Sequence, residues 1–227
     1  MRILCFLLVT ILVAGASKGM PEQMPEFNTL LMESTFKVQG RKDNGDDAIG
    51  TCFILVKPET KDPTTADLVL VTARHVLGDI AEDTATLTLR TKGSDGGFSP
   101  LPHRIKIRDH RKPLWTEHQD KQLDIAVMYV SVPSQAYIAP VPVSLLATDA
   151  DLKKIEIHPG DQLSCLGYPL GAAANDAFLP VLRSGKIASY PILPTSKTKT
   201  MLYDFSVYEG NSGGPVYLVE SHTNPNK

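Results

Sequence analysis

Short apolar or alternating runs, separated by clusters of polar turn formers, recur along most of this chain and constrain its fold more than any other feature. Residues 51–56, 66–73, 84–90, 104–108, 123–130, 162–168, 181–190, 201–207 and 215–219 read as strands. Between them lie stretches such as Lys42-Asp43-Asn44-Gly45-Asp46-Asp47 and Gly93-Ser94-Asp95-Gly96-Gly97, composed of residues whose side chains or missing Cβ favour tight turns. Many short strands joined in this way bury one face each and build a sandwich or a barrel. No long stretch carries the 3.6-residue period of an amphipathic helix, and only short helices are expected, near 76–80 and 148–153. The predicted class is all-β.

A length of 227 residues suffices for one large β domain or two small ones. Residues 131–148 contain Pro133, Pro140 and Pro142 with little charge and read as an extended connector. They divide an N-terminal half, 31–130, from a C-terminal half, 149–227. The first sixteen residues place Arg2 before a short apolar run that ends in Ala14-Gly15-Ala16. This is the pattern of a secretory signal peptide cut after Ala16. The alternative is a membrane anchor, but the run is shorter than the roughly 18–20 residues that span a bilayer. The expected location is therefore secreted or periplasmic, without stable membrane insertion, and residues 17–30, with Pro21 and Pro25, form a loose lead-in. Export leaves Cys52 and Cys165 where disulfides are permitted. Each lies in an apolar strand-like run, so two buried free thiols are expected. A net charge of −2 and an aromatic content of 7% offer neither the positive field nor the stacking platform that nucleic-acid binding needs. The histidines and cysteines show no metal-ligand spacing, and no cofactor is expected.

The chemistry is concentrated near the C-terminus, in Glu209-Gly210-Asn211-Ser212-Gly213-Gly214-Pro215. Glycines on both sides of Ser212 permit a backbone closed to other residues and present the hydroxyl as a candidate nucleophile. A serine hydroxyl is weak alone and needs a base and an orienting acid. Of six histidines, His103, His110, His118, His158 and His222 lie in polar, Pro-rich or charged surroundings, whereas His75 follows the apolar run Leu68-Val69-Leu70-Val71. A histidine at the end of a buried strand is held rigidly, as a general base must be. In Leu123-Asp124-Ile125-Ala126-Val127-Met128 a single carboxylate interrupts an apolar run. Burial there demands a partner, and an imidazole N–H would serve. The stretch Gly210-Asn211-Ser212-Gly213-Gly214 also satisfies the nucleophile-elbow pattern of α/β-hydrolases. That fold requires the acid and the histidine to follow the serine, and here His75 and Asp124 both precede it.

The order His75, Asp124, Ser212 and its local motifs resemble the chymotrypsin/trypsin superfamily of serine proteases, closest to the bacterial Deg-type (high-temperature-requirement) trypsin-like branch. The matching segments are Gly50-Thr51-Cys52-Phe53-Ile54-Leu55, Val71-Thr72-Ala73-Arg74-His75-Val76, Asp124-Ile125-Ala126-Val127, Leu166-Gly167-Tyr168-Pro169, Arg183-Ser184-Gly185-Lys186-Ile187 and Gly210-Asn211-Ser212-Gly213-Gly214-Pro215. The resemblance implies two antiparallel six-stranded-type β-barrels with a catalytic triad of His75, Asp124 and Ser212. It implies an oxyanion hole formed by the backbone N–H groups of Gly210 and Ser212, a polypeptide substrate and no cofactor. It also places Ser206, Tyr208 and Glu209 in the pocket for the residue before the scissile bond. Ser206 is not acidic, so selection of Lys or Arg is not expected. Asn211 stands where activated digestive-type members carry an aspartate that pairs with a freed N-terminus, so a zymogen switch of that type is not expected either. After Ser212 come only Gly213 to Lys227, and the second barrel is expected to be incomplete at its C-terminus. The intact triad favours a secreted serine endopeptidase. The short C-terminal stretch favours a catalytically weak or inactive binding module on the same fold.

Overall fold

The structure, a computed structural model, describes residues 26–58 and 66–218 together with the backbone of a three-residue strand, β1 (Ile11–Val13). A first sheet contains β2 (Thr35–Arg41), β3 (Asp47–Pro58), β4 (Ala66–Thr72), β5 (Thr84–Lys92) and β6 (Phe98–Lys106). A two-stranded ribbon, β7 (Arg108–Asp109) with β8 (Lys112–Pro113), leads into β9 (Thr116–Glu117) and β10 (Ala126–Tyr129). The strand order is β6-β5-β2-β3-β4-β10-β9, and β11 (Val141–Pro142), from the expected connector, adds in parallel to β3. A second sheet, in the order β1-β15-β12-β13-β14, is built from β12 (Gln162–Gly167), β13 (Val181–Ile187), β14 (Tyr203–Asp204) and β15 (Val216–Leu218).

Strand β3 explains why its sequence is apolar at both parities. Cys52 and Ile54 enter one core with Phe36, Val38, Leu70 and Leu87. Phe53 and Leu55 enter a second core that also holds Val71, Leu166 and Tyr217. A strand covered on both faces has no polar side to alternate with. The second core matters for function, because Leu166 and Tyr217 come from the other sheet and press it against β3. A third core, with Leu152, Leu163, Cys165, Ile187 and Met201, supports the second sheet from within.

The two short helices expected from sequence are present: α2 (Arg74–Gly78) and α3 (Asp149–Lys154), the latter opened by a capping box between Thr148 and Asp151. A third helix was not expected. The lead-in gives way at Phe27 to α1 (Phe27–Ser34), where the Glu26 carboxylate accepts from the Asn28 and Thr29 amides and Leu30 and Leu31 are buried. A short α4 (Thr195–Thr198) precedes β14. Strand β2 was not expected either: Phe36 and Val38, fully buried, alternate with Lys37 and Gln39, but the run is short and Gly40 takes its next inward position. The strand expected over 201–207 shrinks to Tyr203–Asp204, since Ser206 to Glu209 form an exposed loop. Cys52 and Cys165 are buried free thiols as expected, and burial pushes the Cys165 thiol up to about 11. The signal-peptide assignment lies outside the described residues, except that the backbone of β1 pairs in parallel with β15. His222 and the end of the chain also lie outside them. Among the described residues no helix is long and apolar enough to cross a membrane.

Candidate active site

The ladder between β4 and β10 brings His75 and Asp124 together. Ala126 pairs with Thr72, and the antiparallel register continued two residues beyond the strands sets Asp124 beside Arg74. The Arg74 amide accordingly donates to the Asp124 carbonyl at 3.2 Å. Asp124 thus sits just before the strand rather than inside it, directly after a turn closed by the Leu123 amide on the Asp120 carbonyl. The sequence turns from β4 into α2 at Ala73, so the His75 amide faces the carboxylate and donates to its Oδ1 at 2.9 Å. The ring Nδ1 of His75 is hydrogen-bonded to Oδ2. Partial burial pushes the Asp124 carboxyl up. The hydrogen bonds from the His75 ring and amide, with the nearby charges of His75 and Arg74, outweigh it and hold the group below its ordinary value. An ionised carboxylate only accepts, so Nδ1 carries a hydrogen, and whenever the ring is neutral Nε2 is the acceptor.

The lowered carboxyl value has a measurable sign. Its contribution to stability is complete above the ordinary aspartate value of about 3.9. The contribution is lost as pH falls through the lower folded value. The difference in melting temperature between wild type and Asp124→Asn is therefore expected to hold its full size above the ordinary aspartate value of about 3.9 and to shrink as pH falls below it, as read by calorimetry over a pH series.

Ser212 is brought to this pair by hydrogen bonds between its loop and β3. The Thr51 amide donates to the Ser212 carbonyl at 2.8 Å. Gly213, at φ +87°, passes so close that a Cβ would lie 2.3 Å from the Thr51 carbonyl oxygen and from the Thr72 hydroxyl, so only glycine fits. Ser212 is 5% exposed, and so lies in the wall of the cleft rather than standing out from the surface. With His75 it lines a cavity of about 260 Å³ whose other walls include Ile49, Val76, Lys42 and Glu209. Lys42 and Glu209 form an ion pair in its wall at 3.6 Å. Among the described residues, neither the Gly210 nor the Ser212 N–H donates to a backbone acceptor.

The remaining expected residues divide. Glu209 lines the cleft, while Ser206 and Tyr208 are exposed and lie outside this cavity. The Arg183 guanidinium covers the Tyr208 ring at 4.9 Å and reaches the Ser206 carbonyl at 3.4 Å. His103 lies on β6 rather than in a loop, and its Nε2 contacts the Ser131 carbonyl. A larger cavity, about 420 Å³, adjoins the Asp124 segment through Leu123 and Ile125 but contains neither His75 nor Ser212. Sequence reasoning missed Thr51, Thr72 and Tyr168 as parts of the site. Each lies in one of the segments that carry the family resemblance, but none has a side chain that by itself suggests chemistry.

Two β sheets that deliver a carboxylate-oriented imidazole and a glycine-flanked serine to one cleft define a fold of the chymotrypsin class. Residues 50–222 match the trypsin-like peptidase domain, and the chain belongs to that family. The match is to the family as a whole and does not single out the Deg-type branch. No curated protein matches the sequence. Solved structures similar to this chain include the protease Anisep from Arthrobacter nicotinovorans, at 16% identity over 85% of this chain and 80% of that one, with a TM-score of 0.47. A thermostable serine protease, AL20, from an extremophilic microorganism is similar at 16% identity over 83% of this chain and 80% of that one, with a TM-score of 0.43.

Proposed function

We propose that this protein is a serine endopeptidase that acts through an acyl-enzyme, with Ser212 as nucleophile, His75 as general base and acid, and Asp124 as the group that orients His75. The observation that carries this reading is the Asp124 carboxylate bound to Nδ1 and the amide of His75 in a cleft shared with Ser212. Ser212 Oγ attacks the scissile carbonyl carbon while its proton passes to His75 Nε2. The carbonyl oxygen becomes an oxyanion that the Gly210 and Ser212 amides receive. His75 then gives the proton to the leaving nitrogen as the C–N bond breaks, which leaves an ester on Ser212. Water attacks that ester with the same proton relay in reverse. The mature enzyme acts outside the cytoplasm, a reading supported by Arg2 and the apolar run before Ala16. The exposure of Ser206 and Tyr208 favours the second reading, a weak or inactive binding module on this fold.

A fluorophosphonate probe separates the two. The serine oxygen displaces fluoride at phosphorus only if a base activates it. Labelling is expected, with the adduct mapped by mass spectrometry to the peptide that contains Ser212. A folded protein that takes up no label would sink the enzyme reading and leave the binding module.

A further inference from the structure

We infer that Thr51 is a positioning residue for the oxyanion site: its hydroxyl holds the Gly210 peptide in the orientation that keeps the Gly210 and Ser212 amides available together. The inference rests on the protease reading of Ser212. Thr51 is fully buried, and three polar contacts tie it to the loops around the nucleophile. Its amide donates to the Ser212 carbonyl at 2.8 Å, its Oγ1 donates to the Gly210 carbonyl at 2.7 Å, and its Oγ1 accepts from the Tyr168 amide at 3.1 Å. The sense of these bonds is forced, because an amide N–H only donates and a carbonyl only accepts. The hydroxyl hydrogen therefore has one place to point, toward Gly210.

The restraint is needed where it falls. Gly210 sits at φ +94°, and a Cβ there would lie 2.1 Å from the Tyr168 carbonyl oxygen, so no other residue fits. Glycine has the widest backbone freedom of any residue, and a turned peptide on either side would redirect its N–H. Both adjoining carbonyls are pinned. The Glu209 oxygen accepts from the Leu170 amide at 2.6 Å, and the Gly210 oxygen accepts from Thr51. In a trans peptide the N–H points opposite to its carbonyl, so the first bond aims the Gly210 N–H away from Leu170. The second bond stops the next peptide from rotating under it. Thr72, which precedes Ala73, Arg74 and His75, donates its hydroxyl to the Thr51 carbonyl at 2.7 Å. The same residue thus links the segment that carries the base to the loop that carries the nucleophile.

Thr51→Val keeps the shape and removes the hydroxyl, whereas Thr51→Ser keeps the hydroxyl. With the valine variant, kcat is expected to fall about 10- to 100-fold, less than the 10²–10³ typical of losing an oxyanion donor outright. KM should stay within about twofold, since the hydroxyl restrains a group that meets charge only in the transition state. A peptide aldehyde, whose adduct with Ser212 carries an oxyanion, should lose affinity by the same factor. The matching peptide alcohol, which forms no adduct, should bind as before, and serine should restore both values. Should the valine variant not fold, Thr51→Cys, with its weak thiol donor, is expected to show the same split. An unchanged kcat in a folded variant, or equal losses for aldehyde and alcohol, overturns the inference alone. A wild type that takes no fluorophosphonate and cleaves no peptide overturns the protease reading, and the inference with it.

Discussion

Replacing Ser212 with alanine is expected to lower kcat on the order of 10⁶-fold, and replacing Asp124 with asparagine about 10⁴-fold. The alanine variant removes the atom that forms the ester, and what remains is the stabilisation offered by the backbone amides. Little else should change. The Ser212 carbonyl stays on the Thr51 amide, a bond that does not depend on the side chain. The melting temperature should therefore match that of wild type. The asparagine variant acts through the tautomer. Its amide can offer N–H to the His75 ring, which leaves Nδ1 as the acceptor and moves the ring hydrogen to Nε2, where no base then faces the serine. The backbone bond from the His75 amide can persist on the asparagine oxygen, so the loss is one of proton transfer more than of architecture. Single-turnover cleavage of a fluorogenic peptide measures both variants. An asparagine variant within tenfold of wild type would remove Asp124 from the mechanism.

How much of this was legible beforehand follows from how local each feature is. Ser212 and His75 were readable because the constraint is written in adjacent residues: glycines about the serine, and an apolar strand ending at the histidine. Asp124 was readable as a charge that interrupts an apolar run. Its contact with His75, made through the β4–β10 register, became visible only when the strands paired. Thr51 and Thr72 were invisible as functional residues, because a threonine in a strand has high β propensity and needs no further explanation. Ser206 and Tyr208 differ in kind: both are exposed and lie outside the cavity that holds His75, Glu209 and Ser212. They were carried over by resemblance, and where a loop runs depends on packing that no local pattern encodes. Arg90 was the deepest omission. It is the last residue of the expected strand 84–90, a place that gives no sign of burial, yet it is fully buried.

Arg90 is where the largest loss of stability is expected. Helix α1 ends with carbonyls that no later turn of the helix can satisfy. Arg90 Nη2 shares its two hydrogens among the Met32, Glu33 and Thr35 carbonyls, at 3.1, 3.0 and 3.0 Å. Nη1 donates to the Phe178 carbonyl at 2.9 Å and to the Tyr168 hydroxyl at 3.3 Å, and the guanidinium carbon lies 4.4 Å from the centre of the Phe36 ring. Burial pushes the Tyr168 phenol up to about 12, so it stays neutral and passes a hydrogen on to Phe178 or Thr35. One cation therefore caps a helix of the first half and anchors the 168–178 segment of the second. Arg90→Met fills similar volume but strands several buried acceptors, each worth about 1–3 kcal/mol when left unmet. Because such losses overlap, a total of about 3–5 kcal/mol is expected, a large part of the roughly 5–15 kcal/mol that holds a domain together. That corresponds to a fall in melting temperature of roughly 10 °C for a domain of this size. Arg90→Lys should recover only part of it, because an ammonium offers three hydrogens from one point where the guanidinium reaches two sets of acceptors on opposite sides. A chemical-denaturation series on the two variants tests this, and a methionine variant as stable as wild type would show that the carbonyls find other partners. Where the methionine variant still folds, the segment it loosens carries Leu170, whose amide holds the Glu209 carbonyl beside the oxyanion site. Activity should then fall at temperatures where the protein remains folded.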